Sequence, residues 1–243
     1  ARKAYFFMGD AMVCMGSGIK AARTQEVRTS VNQCLANGEV TYGLSGHTYR
    51  LTNNLSDKNI DWAYHDNVGY IFPQNESVTL RKAKQTGAWR ELEVTASDKP
   101  VTKEIFSLWV SHGTTPQHED YCYIIMPDKP LSYFTDKKFE NEIKIIVNSE
   151  QIQAISNENK KQYAAVFYEP GEIRFAEDLV VAVNKKVIIY IEKKDKQYEI
   201  AVADPLYKEQ SLQLSMNGEQ INIVFPSGDY SGSSVIKHIT EKH

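Results

Sequence analysis

The chain has 243 residues, 42% of them apolar and 24% charged, with a formal net charge of −3, a balance that excludes disorder and supports one large all-β domain or two smaller ones. Residues 1–141 carry 16 Lys and Arg against 16 Asp and Glu, and residues 142–243 carry 12 against 15, so neither part has the basic footprint of a nucleic-acid binder. No apolar run reaches the roughly 20 residues of a membrane-spanning helix, and no membrane partner is expected.

In chain order, Ala4–Met8 and Ala11–Met15 flank Gly9-Asp10. A two-residue loop that begins with Gly is what a type II′ turn requires, so this stretch reads as a tight hairpin. Both arms are nearly continuous in apolar residues, and the expectation is two strands buried on both faces. Lys3–Met15 has no cleavage-site pattern and carries Gly9-Asp10 at its centre, so it does not read as a secretory leader.

Gln25–Cys34 alternates, with Val27, Thr29, Val31 and Gln33 on one side and Arg28, Ser30 and Asn32 on the other. Asn37-Gly38 is a hairpin-type turn before a short strand at Val40–Tyr42, and Gly43–Gly46 and Thr52–Asn59 are polar turn clusters. Asp61–His65 and Val68–Phe72 read as strands around Asp66-Asn67. Ser77–Lys84 and Trp89–Val94 flank Gly87. Lys103–His112 is a strong strand, and Tyr121–Met126 is a second that ends at Pro127; a hairpin joining these two is expected.

Asp128–Asn141 is polar and reads as a connector with a short helix within Leu131–Phe139. Short strands then recur at Ile143–Val147, Gln151–Ile155, Gln162–Tyr168, Val187–Glu192, Tyr198–Ala203, Ser211–Met216, Gln220–Phe225 and Ser234–Ile239. Turn signals separate them, as expected of a β-sandwich. The reading is two domains, residues 1–141 and 142–243.

Several ionisable groups invite chemistry. His65, beside Asp66, has the makings of a base or a protonation switch, although a strand-end histidine satisfied by a neighbouring backbone group is the favoured reading. His112 before Gly113 reads the same way, as a strand cap. No His pair has metal-ligand spacing, and Cys14, Cys34 and Cys122 read as small buried hydrophobes, with a Cys14–Cys34 disulfide left open. Asp57, Asp61 and Asp66 lack EF-hand spacing; no cofactor is called for, with a structural calcium left open. Glu91/Glu93 and Glu119/Asp120 are carboxylate pairs, of which the first reads as solvent face. A GxSxG elbow and a phosphate loop are both missing from the sequence. Trp109 reads as core packing. Trp89, just after Gly87-Ala88, is the substrate-binding candidate, an aromatic platform for a sugar ring.

Read together, KAYFFMGDAMVCMGSGI (3–19), VRTSVNQ (27–33), WAYHDNVGYIFP (62–73), GAWREL (87–92), IFSLWVSHG (105–113), YCYIIMP (121–127), QIQAI (151–155) and ADP (Ala203–Pro205) resemble, in the same order, the polysaccharide lyases that include the chondroitin AC and ABC, hyaluronate and xanthan lyases. The resemblance implies the later half of a large, galactose-mutarotase-like antiparallel super-sandwich followed by a small C-terminal β-sandwich. It also implies that an α/α toroid and the early β strands lie upstream in the same polypeptide. The implied chemistry is β-elimination. A base takes the C5 proton of a uronic acid, the carboxylate is neutralised, and the 4-linked glycosidic bond leaves. The family's Asn, His, Tyr and Arg for these steps come mostly from the toroid, and none of those motif positions lies in this chain. No catalytic residue is therefore assigned; His65 and His112 fall in strand motifs without a catalytic role. The implied partner is an acidic polysaccharide, chondroitin sulfate or hyaluronan, and the implied location is secreted or periplasmic. One departure concerns Met8 to Ala11: relatives often carry acidic residues after the Phe pair. The Gly9-Asp10 turn resembles the ABC type, whereas QIQAI and ADP resemble the AC type. Two rivals are a stand-alone carbohydrate-binding β-sandwich using Trp89 and a mutarotase-like sugar isomerase. The isomerase would pair His with carboxylates in a sheet concavity, a pairing the sequence does not display.

Overall fold

The computed structural model describes residues 1–22 and 24–240. They form strands β1 (Arg2–Met8), β2 (Ala11–Ile19), β3 (Glu26–Leu35), β4 (Thr41–Leu44), β5 (His47–Arg50), β6 (Leu55–Asp57), β7 (Ile60–His65), β8 (Val68–Ile71), β9 (Val78–Gly87), β10 (Val101–Thr114) and β11 (Glu119–Pro127). A short helix, α1 (Leu131–Thr135), follows. Then come β12 (Lys144–Asn148), β13 (Ile152–Asn157), β14 (Gln162–Phe167), β15 (Gly171–Ala176), β16 (Leu179–Val183), β17 (Val187–Lys194), β18 (Gln197–Ala203), β19 (Ser211–Met216), β20 (Glu219–Val224) and β21 (Val235–Thr240). The sheets run β1-β2-β11-β8-β7-β4-β5, β3-β10-β9-β6, β12-β13-β14-β17-β18-β21 and β15-β16-β19-β20. The described residues are all-β apart from single helical turns.

The chain divides into two compact units: Ala1–Gly9 with Cys14–Gly18 and Phe139–His243, and Asp10–Val13 with Ile19–Lys138. In the second unit β10 pairs with β3 on one side and β9 on the other, both antiparallel. Its inward residue Phe106 meets residues of the other sheet, with ring centroids 4.6 Å from His65 and 6.4 Å from Tyr70. The β7–β8 hairpin turns at Asp66 and Asn67, both with positive φ (50° and 61°), the type I′ geometry that matches strand twist. Helix α1 is anchored by Phe134, fully buried and with ring centroids 5.9 Å from Trp62 and 5.4 Å from Tyr64.

In the first unit the six- and four-stranded sheets enclose one apolar cluster. Alternation selects its members: Val187, Ile189 and Ile191 on β17 are buried while Ile188 is not, and Leu179, Val181 and Val183 on β16 point inward. Each such side chain contributes about 1.5–3 kcal/mol by leaving water. Residues of the first hairpin belong to this unit. Ser17 Oγ donates to the Ser149 carbonyl at 2.8 Å, Asn148 Nδ2 donates to the Gly16 carbonyl at 3.2 Å, and the Tyr168 hydroxyl donates to the Lys3 carbonyl at 2.9 Å.

Four local expectations are corrected. The turn at Gly9 does open with positive φ (61°), but β1 alternates and is an edge strand, with Tyr5 and Phe7 exposed; only β2 is buried nearly throughout. The pairing of β3 with β10 skips Val31, a β-bulge that reverses the later alternation, so Asn32 and Cys34 turn inward and Gln33 turns out. Lys103–His112 and Tyr121–Met126 do not form a hairpin: β10 pairs with β3 and β9, whereas β11 pairs with β8 in another sheet. Trp89–Val94 is a 3-10 turn and coil rather than a strand, its Arg90 amide bonded to the Ser97 carbonyl at 3.1 Å. Strand β6 falls inside the expected polar turn cluster Thr52–Asn59, and β5, β15 and β16 have no counterpart among the expected strands.

Candidate functional site

In the Asp10–Val13 and Ile19–Lys138 unit, a cavity of about 470 Å³ gathers Lys58, Glu76, His112, Glu119 and Asp120. Glu76 lies just before β9, and its carboxylate is buried. Its Oε1 accepts the Cys122 amide at 2.8 Å, while Oε2 has no hydrogen-bond partner. Burial pushes its pKa up to about 7, opposed by backbone amides of Cys122, Glu76 and Gln74, with Asp120 pushing further upward. Burial likewise raises Asp120, reinforced by Glu119 and opposed by His112. Burial lowers His112, with Glu119 and Asp120 opposing. His112 is not a backbone cap: its Nε2 lies 2.8 Å from Thr29 Oγ1.

The sequence reading missed Glu76, because an acidic residue in a polar loop carries no burial signal. It also did not foresee that residues 76, 112 and 120 line one cavity. The cavity sets three carboxylates beside donors from Lys58, Gln74, Asn75 and His112.

His65 is also not satisfied by backbone. It is buried, its Nδ1 lies 3.7 Å from Cys34 Sγ, and its Nε2 has no partner. Burial lowers its pKa, with Asp66 pulling the other way and Lys82 adding to the decrease. Packed on Phe106 in a closed core, it has no access to a substrate. None of the three cysteines is in a disulfide, so Cys14 and Cys34 are not paired. Arg28 lies 4.6 Å over the Trp109 ring, a cation–π contact on the face of β10. Asp57 accepts from the Asn59 amide, Asp61 from the Gly46 amide and Asp66 from Asn37 Nδ2. Among the described residues no group of three or more His, Cys, Asp or Glu is arranged to hold a metal.

Trp89 is 61% exposed at the start of the β9–β10 connection, in which Leu92 and Val94 are also exposed. Glu91 accepts the Ala88 amide at 3.1 Å instead of lining a strand face.

Asp204, from the ADP motif, is 2% exposed and organises the loop after β18. Its Oδ1 accepts the Leu206 amide at 2.8 Å, and Oδ2 accepts the Lys208 and Glu209 amides at 2.6 and 2.8 Å. Burial would raise its pKa, but the amides of Glu209, Leu206, Lys208 and Tyr207 outweigh burial and hold it below the usual carboxylate range. Its contribution is therefore present above the ordinary Asp pKa and fades as pH falls. Asp204→Ala should cost about 2–4 kcal/mol at pH 7, because three donors lose a charged acceptor at once. Urea unfolding at pH 7 checks this, and a loss under about 0.5 kcal/mol would show the loop closes without the carboxylate.

The sequence profile of the polysaccharide lyase family 8 super-sandwich domain matches residues 1–138, and that of the family's C-terminal β-sandwich domain matches residues 144–213. Chondroitinase-AC of Pedobacter heparinus is 30% identical over 97% of this chain, which spans 34% of that protein. Hyaluronate lyase of Thermasporomyces composti is 25% identical over 92% of the chain and 29% of its own length. A solved chondroitinase AC lyase, studied in oligosaccharide complexes, superposes with a TM-score of 0.88 at 27% identity, covering 97% of this chain and 36% of that one. A Paenibacillus xanthan lyase, at 21% identity and a TM-score of 0.76 over 87% of this chain and 21% of its own, shares the fold. The chain thus spans about a third of the chondroitinase it matches. With both profiles in order along its length, the chain belongs to polysaccharide lyase family 8.

Proposed function

We propose that this chain is the later β part of a secreted or periplasmic lyase that cleaves chondroitin or hyaluronan by β-elimination at a uronic acid, with the catalytic residues upstream in the same polypeptide. The observation that carries the reading is 30% identity to a chondroitinase across 97% of the chain but only 34% of that protein. The exposed Tyr5 and Phe7 on edge strand β1 suit a face covered by earlier strands of the super-sandwich. Trp89, free to stack on a sugar ring, is assigned to the polymer-contacting surface.

The test is to mix the chain with chondroitin sulfate and with hyaluronan and follow the absorbance of unsaturated uronate. The expected result is no turnover by the chain alone, and turnover once it is continuous with a helical toroid. Steady product release by the chain alone would overturn the assignment of catalysis to upstream residues.

A further inference from the structure

A second cavity, of about 430 Å³, opens at the loop that Asp204 organises. Its walls come from that loop, from the end of β20 with Phe225–Ser227, and from Ser231-Gly232. Tyr207 stands at its edge, 69% exposed, with a backbone φ of 56°. Its ring rests on Gly232: a Cβ added there would fall 1.8 Å from Tyr207 Cε1. The ring is thus seated by a glycine beneath it and by a loop pinned on a buried carboxylate, so little freedom remains to be lost when a ligand covers its outer face. Val224 and Tyr230, 65% and 73% exposed, add apolar surface nearby.

The charges are equally specific. Three charged residues line the cavity: Asp204, Lys208 and Glu209. The Asp204 carboxylate is consumed by three backbone amides. Glu209 is neutralised by Lys185, whose Nζ lies 2.5 Å from Oε2. Lys208 is the one cation lining the cavity, and the amides that bind Asp204 take up its oxygens without cancelling its charge. An exposed ring seated on Gly232, polar walls from Gln210, Ser227 and Ser231, and the Lys208 ammonium suit a sugar bearing an acidic substituent.

We propose that this groove is a saccharide-binding subsite of the C-terminal sandwich, taking one ring of an acidic polysaccharide on Tyr207 with its carboxylate or sulfate at Lys208. The class of polymer rests on the lyase reading; the site itself rests on this geometry.

Titration of the 243-residue chain with chondroitin and hyaluronan decasaccharides, followed by calorimetry and by NMR shift mapping, tests it. Saturable binding is expected, with shifts at residues 204–210 and 224–232. Tyr207→Ala should weaken it at least tenfold, while Tyr207→Phe, which keeps the ring, stays within about twofold. Lys208→Ala should weaken it about threefold in low salt and less as salt rises. Each variant's thermal unfolding is compared with the parent's, and Tyr207→Phe and Lys208→Ala carry the test if Tyr207→Ala fails to fold. Failure of the chain to bind, or binding that Tyr207→Ala leaves unchanged, overturns the subsite and leaves the lyase reading standing. Equal binding of a neutral cello-oligosaccharide, with no effect of Lys208→Ala, overturns the acidic ligand. The lyase reading itself is judged separately, by unsaturated uronate formed by the longer polypeptide.

Discussion

Glu76→Gln should stabilise the chain by roughly 3 kcal/mol at pH 8 and by under about 1 kcal/mol at pH 5. In the unfolded chain this carboxyl ionises near its ordinary value of 4.5, whereas burial in the fold raises it to about 7. The folded state thus favours the protonated form. The associated stability is fully present below about pH 4.5 and is lost as pH rises through 7, because the unfolded chain releases its proton first. Gln stays neutral at every pH and keeps an oxygen for the Cys122 amide, which Glu76 Oε1 accepts at 2.8 Å. The groups facing Glu76 across the cavity are Lys58, His112, Glu119 and Asp120; raised Asp120 adds a smaller trend of the same sign, which the variant retains. Urea unfolding of parent and variant at pH 5, 6, 7 and 8 gives the comparison. Two stability profiles that stay parallel over that range would show that Glu76 is not the group responsible.

Gly69→Ala should be among the most damaging single changes in the chain, costing about 3–5 kcal/mol, as much as deleting a buried aromatic ring. Its new Cβ would sit 1.8 Å from Cζ of Phe134 and 2.2 Å from Cε1. The ring cannot step aside, because Phe134 is fully buried and packed on Trp62, Tyr64 and Tyr133. Close approach of the ring, and no special backbone angle, is what demands glycine here. A double-mutant cycle separates this from general damage. Gly69→Ala combined with Phe134→Ala should be several kcal/mol less destabilised than the sum of the two singles, since the clash disappears with the ring. A Gly69→Ala chain that unfolds within about 1 kcal/mol of the parent would refute the close-contact account.

Much of the fold was legible because it depends on local pattern. The alternation in Val187–Glu192 and Tyr198–Ala203 marks β17 and β18. What the pattern does not carry is the identity of a strand's partner. Residues 103–112 and 121–126 read as neighbours because they are close in sequence, yet sheet membership is decided by which faces bury together, and β10 and β11 part company. A bulge is invisible for a related reason: skipping Val31 costs no change in composition, yet it decides that Cys34 and not Gln33 reaches His65. The candidate site was less legible still. Glu76 is buried by tertiary context alone, and Tyr207 becomes a fixed platform only because Gly232, distant in sequence, comes beneath it. Asp204 was visible as part of a family motif, but its work, holding three amides, needed coordinates.

The first hairpin has a consequence for how the chain is made. Ser17 and its acceptor Ser149 are 132 residues apart. At roughly 5–20 residues per second, a ribosome needs on the order of ten seconds between making one and the other. Through that interval β1 and the middle of β2 have no sandwich to pack against, and the entropy of closing so long a loop keeps them from finding it early. Vectorial synthesis therefore makes the hairpin well before the strands around Ser149 that it packs against.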